Sequence, residues 1–143
     1  MNFTVIALAA LLPLVVGFVW YNPKVLGNAW MQSIGMTEES MKGSNMGLIF
    51  GVTYIFSFFL AFAMQFLTIH QYSLYSIVAD QPDYMNPASE AGMMVQAMLD
   101  KYGTSFRSFG HGALHGTISA ITIALPVLGI NGDELKLGNQ RTR

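Results

Sequence analysis

The sequence predicts an all-α, polytopic transmembrane helical bundle with three spans. Three observations carry the prediction. Charge is scarce: 143 residues include seven Lys and Arg and eight Asp and Glu, 10% in all, against 52% hydrophobic residues. An ordinary soluble domain is about a quarter charged. The charges are also absent from three stretches, residues 1–23, 43–79 and 108–132. Each stretch contains an apolar run long enough to cross a hydrocarbon core about 30 Å thick, which takes about 20 helical residues. Lipid offers the backbone no hydrogen-bond partners, so each run must be helical. A buried helix of a soluble protein would be shorter and would carry a charged stripe.

The first span is expected over residues about 3–21. It has no basic leader and no small-x-small cleavage site, which reads as a retained span rather than a secretory signal. It ends in Trp20-Tyr21-Asn22-Pro23, an interfacial aromatic pair followed by a helix stop. Pro13 is expected to kink it, with Ala10, Pro13 and Gly17 on one side. The first connection contains Trp30, Met31, Ile34 and Met36, too apolar for a free loop, and a short interfacial helix is expected there with Trp30 at headgroup depth. Trp20, Tyr21 and Trp30 are the expected interfacial anchors. Thr37 before Glu38 and Glu39 has the form of an N-cap, so the second helix is expected to start well ahead of the membrane.

The second span is expected over residues about 46–69. Thr53, Ser57, Ala61 and Gln65 recur every four residues, a polar stripe expected to face and hydrogen-bond the third span. The long connection that follows carries turn residues Asp80, Pro82, Asp83, Asn86 and Pro87. Asn86 as N-cap, Pro87 at the first helical position and Gly103 as the stop bracket an amphipathic helix at about 87–102, with Ala91, Val95, Met98 and Tyr102 on one face and Glu90, Asp100 and Lys101 solvated.

The third span, about 108–130, is the least lipid-like. Gly112, Gly116, Ala120 and Ala124 form a small-residue groove suited to close helix contact, here or in an oligomer. His111 and His115 share a face of it. His70 ends the second span, so His70 and His111 are expected at the same membrane face, with His115 one turn (about 5.4 Å) deeper. Histidines inside lipid are costly and need partners. They either hold the packing by hydrogen bonds across helices, or form a polar small-molecule or proton site together with Gln65, or bind a metal.

Zero cysteines exclude thiolate metal sites, disulfides and cysteine catalysis. A net charge of −1 gives no basis for nucleic-acid binding. No nucleophile and base pair stands out, there is no phosphate-binding glycine loop, and no span holds an acid. An enzyme is therefore not expected, nor any cofactor beyond a possible metal at His70, His111 and His115. Lys24 and Lys42 in the first connection, with Lys136, Arg141 and Arg143 in the tail, outnumber Lys101 and Arg107 in the second connection. This bias places the N-terminus outside and the tail in the cytoplasm.

Trp20-Tyr21-Asn22-Pro23, Gly27-Asn28-Ala29-Trp30-Met31 and the block His111-Gly112-Ala113-Leu114-His115-Gly116, with Leu125-Pro126 beyond, resemble the small bacterial membrane proteins of domain-of-unknown-function family 1761. The resemblance covers about residues 1–131, a single domain, and leaves 132–143 as a polar tail. It implies a helical inner-membrane protein, usually of four spans, with no assigned activity. Here the tail is too short to cross a bilayer, so the fourth span is expected to be missing. A second copy or another membrane protein would then cover the glycine groove. The function these residues predict is a structural or accessory subunit that packs through the glycine-rich third span; the alternatives are a binder of a metal or small polar ligand through His70, His111 and His115, and an oligomeric channel or carrier for a small solute.

Overall fold

The computed structural model describes residues 1–130, with the backbone alone at position 38. Among them every regular element is a helix. Three helical runs are long and apolar enough to cross a membrane: Phe3–Trp20, Met46–Thr68 and Phe109–Ile130. The chain divides into two compact units, Met1–Ala63 and Met64–Arg143. Most large apolar side chains on the three runs are exposed, including Phe18, Leu48, Phe56, Leu60 and Leu128. Water would not tolerate apolar surface on this scale; lipid does.

In the first unit, α1 (Phe3–Ala9) is capped by Asn2, whose Oδ1 accepts from the Val5 N–H. The run breaks at residues 10–11 and resumes as α2 (Leu12–Trp20). The break lies just ahead of Pro13, as expected for a ring that clashes with the preceding turn and donates no hydrogen bond. Ile6 and Ala10, one turn apart, are fully buried. Their face meets α5 (Met46–Thr68): the Tyr54 hydroxyl donates to the Ala7 carbonyl at 3.2 Å, and the Phe3 and Phe62 rings stack at 6.5 Å. The early residue thus pairs with the late one, and α1 runs antiparallel to α5.

Asn22 closes the connection after α2 by receiving the N–H groups of Val25 and Gly27 on its carbonyl and that of Lys24 on its side chain. A Cβ at Gly27 would overlap the Tyr21 carbonyl, so only glycine allows this approach. The Tyr21 ring then rests on Trp30 at 4.8 Å, within α3 (Gly27–Ser33), the short helix the sequence predicts. Thr37 caps α4 (Glu38–Met41) in a capping box with Ser40. Here the structure corrects the expected early start of the second span. The helix ends after four residues, Gly43 takes a left-handed φ of 92°, and α5 begins afresh with Asn45 accepting from the Leu48 N–H.

In the second unit, α6 (Tyr72–Ile77) precedes α7 (Glu90–Tyr102). The helix expected from residue 87 starts at Glu90, because Ser89 and not Asn86 is the cap; its hydroxyl accepts from the Gly92 N–H at 3.0 Å. Asn86 instead folds over Pro87 to accept from the Ala88 N–H. Its carbonyl lies so close to α7 that a Cβ at Gly92 would overlap it. Along the predicted apolar face Val95 is buried and Ala91 half-buried, whereas Met98 and Tyr102 are exposed.

The third run opens as α8 (Phe109–Ser119), capped by Ser108. It widens into a π-helical turn at Ala120–Ala124 before continuing to residue 130, which the sequence analysis did not foresee. Pro126 explains the position. It cannot donate to the carbonyl four residues back, that of Thr122, and a wider turn accommodates its ring. The expected tail, 132–143, and the question of a fourth span lie outside the described residues.

Candidate metal centre

All three histidines belong to the second unit, and two elements deliver them. His70 stands in the turn that ends α5, after Ile69 N–H closes the helix on the Gln65 carbonyl at 3.0 Å. His111 and His115 occupy successive turns of α8, one face of one helix. The rings converge: His70 and His111 centroids are 5.0 Å apart, His70 and His115 5.0 Å, and His111 and His115 4.6 Å. One ring nitrogen from each lies within 4.8 Å of the others. His70 is exposed, and His111 and His115 are half-buried.

The His70 and His111 Nε2 atoms are 2.9 Å apart. Two chemistries fit that distance. Neutral imidazoles of opposite tautomer share an N–H···N hydrogen bond there. Alternatively, nitrogens at this spacing subtend about 90° at a metal ion about 2.05 Å from each, the ordinary metal–imidazole bond length. A ring torsion of a few tenths of an ångström's travel opens the pair to the wider tetrahedral angle.

The approach of α5 to α8 is set by residues that sequence reasoning missed. Gln71, next to His70, donates from Nε2 to the carbonyls of Tyr102 and Ser105 at 3.0 and 2.9 Å. This ties the turn after α7 to the end of α5. Its Oε1 is buried without a partner. Phe106 follows with a left-handed φ of 60°, unusual for a residue with a side chain. That conformation brings its ring edge-on to His70 at 5.9 Å and against His111 at 5.1 Å. Adjacency of Gln71 to His70 was the only signal available in the sequence; nothing in it marked Phe106.

The other expected site residues fall elsewhere. Gln65 is half-buried, and its side chain makes no hydrogen bond among the described residues. Thr53 donates its hydroxyl to the Ile49 carbonyl of its own helix. Ser57 is buried, about one turn along α5 from Tyr54. A Cβ built at Gly112 or Gly116 would meet nothing within 4 Å, and Ala120 and Ala124 are exposed. The π-turn also interrupts the four-residue repeat between Ala120 and Ala124. Trp20 and Tyr21 are about half exposed, and Trp30 less so.

Fold and site together define a class: a small helical protein with three membrane-length helices and an imidazole cluster where two of them end. A family model described as "Protein of unknown function (DUF1761)" matches residues 4–132, and the chain belongs to that family. No curated protein and no solved structure matches it.

Proposed function

We propose that this chain is a metal-binding protein of the bacterial inner membrane, in which His70, His111 and His115 hold one first-row transition ion. The convergence of the three rings carries the reading. An all-imidazole set suits zinc, copper, iron or nickel and not calcium or magnesium, which require oxygen ligands. The bias of basic residues supports an outside N-terminus and a cytoplasmic tail. With three spans the second connection then faces outward, and so does the site. We read the role as binding rather than catalysis; among the described residues the cluster holds three imidazoles and no carboxylate.

The test is titration of the purified full-length chain with Zn²⁺ or Co²⁺ in detergent, beside H70A, H111A and H115A. One ion per chain is expected, with each variant weakened at least about a hundredfold, beyond the range usual for outer-shell changes. Binding unchanged in all three variants would refute the reading.

A second reading, as a structural or accessory subunit, is favoured by the open surface at Gly112 and Gly116. Small-residue faces of this kind accept a close second helix. A chain that runs as a clean monomer in mild detergent and captures no membrane partner would overturn it.

A further inference from the structure

Charge balance at the cluster points to what completes it. Three neutral imidazoles leave the two positive charges of a divalent ion uncompensated, and no carboxylate belongs to the cluster among the described residues. A net charge at the edge of a low-dielectric layer is costly unless paired. The neighbouring side chain adds to the imbalance. Beside the histidines lies a cleft of about 250 Å³ lined by Thr68, Ile69, Phe106, Arg107, Ser108 and Gly112. Thr68 and Ile69 lead into His70, Gly112 follows His111, and Phe106 touches both His70 and His111. Arg107 is exposed in this cleft and forms no ion pair among the described residues.

We infer that the fourth ligand is the oxygen of a phosphate group, bound to the metal on one side and to Arg107 on the other. The inference rests on the metal-binding reading. A phosphate supplies the missing negative charge. Its several oxygens let one group ligate the ion while others take the paired N–H donors of a guanidinium, which match phosphate geometry. The cleft is open to solvent and holds several times the roughly 10–15 Å³ of free space that one water needs, so its volume admits a group of phosphate size. The ends of two membrane-length helices meet here, and helices that cross a bilayer end near its polar headgroup layer. The same chemistry is offered by a phospholipid headgroup and by free phosphate.

Paramagnetic ³¹P NMR tests the inference. Full-length protein in phospholipid-free detergent is loaded with Co²⁺, and occupancy is followed by its visible absorption. Inorganic phosphate is added in one arm; in the other the protein is placed in phosphatidylglycerol nanodiscs. Zn²⁺-loaded protein is the diamagnetic control. A bound phosphate broadens strongly in the Co²⁺ sample, and R107Q weakens the effect about tenfold while Co²⁺ stays bound, the loss expected for a charged hydrogen-bond pair. R107K restores part of it. Broadening of inorganic phosphate assigns a free-phosphate ligand, and broadening of the lipid signal alone assigns a headgroup. Co²⁺ bound with no excess broadening in either arm, or equal broadening in R107Q, overturns this inference and leaves the metal site standing. Failure to bind Co²⁺ at all overturns the reading beneath it.

Discussion

The His115→Ala substitution separates a metal centre from a packing cluster most sharply. His70 and His111 are 41 positions apart in the chain, and an ion held by both, with His115 completing the set, cross-links the end of α5 to the start of α8. Metal that binds only the folded state raises its stability by RT ln(1 + [M]/Kd). At an ion concentration of 100 Kd this is about 2.7 kcal/mol. Loss of one of three ligands raises Kd at least about a hundredfold, so the same ion concentration then sits near the new Kd and contributes only about 0.4 kcal/mol. The expected difference is therefore about 2.3 kcal/mol, present with Zn²⁺ and absent with chelator. Chemical unfolding in detergent, with and without Zn²⁺, measures it. Without metal the variant should differ little from the wild type, because a half-buried ring is removed from the edge of the unit. A wild type with no Zn²⁺-dependent stabilisation refutes the reasoning, and so does H115A that keeps all of it. Acidification should also weaken the zinc effect, since protons compete for the same imidazole nitrogens.

Phe106 has a left-handed backbone, so F106G should be more stable than F106A by about 1 kcal/mol although both lose the ring; equal stability in an unfolding assay would show that the conformation carries no strain. Gln71→Glu replaces a donor facing the carbonyls of Tyr102 and Ser105 by an acceptor, and should cost about 1–3 kcal/mol and weaken Zn²⁺ binding without removing a ligand. Gly27→Ala should destabilise the connection after α2, where a Cβ overlaps the Tyr21 carbonyl, while Gly116→Ala should be neutral or stabilising in a monomer by up to about 1 kcal/mol. If G116A instead lowers stability or changes the oligomeric state, a second helix covers that face.

The spans were legible because transfer into lipid is nearly additive along a helix. A run of apolar residues without charge has one stable arrangement in a bilayer, whatever its neighbours do. Local chemistry also read correctly where only local chemistry decides: Thr37 caps a helix, Pro13 interrupts one, and Gly103 ends α7. The misreadings came where two local signals compete. Asn86-Pro87 and Ser89 are both plausible helix starts, and the approach of the Asn86 carbonyl to Gly92 selects Ser89. Thr37 promised a long helix, but the left-handed Gly43 ended it.

The site divides along the same line. That His111 and His115 share a face follows from helical periodicity alone. That His70 belongs at the same end as His111 follows from the up-and-down order of the spans. By itself, then, the sequence determined three apolar helices and the end at which the imidazoles must collect. Only the tertiary structure decided that their nitrogens come within ligating reach. That outcome depends on the path of the turn from Tyr102 to Ser108, on Gln71 bonding two of its carbonyls, and on the backbone that sets Phe106 beside two rings. Periodicity reports which way a side chain points from its own helix. Distances between side chains on different helices are set by the loops that join them, and no local pattern encodes those.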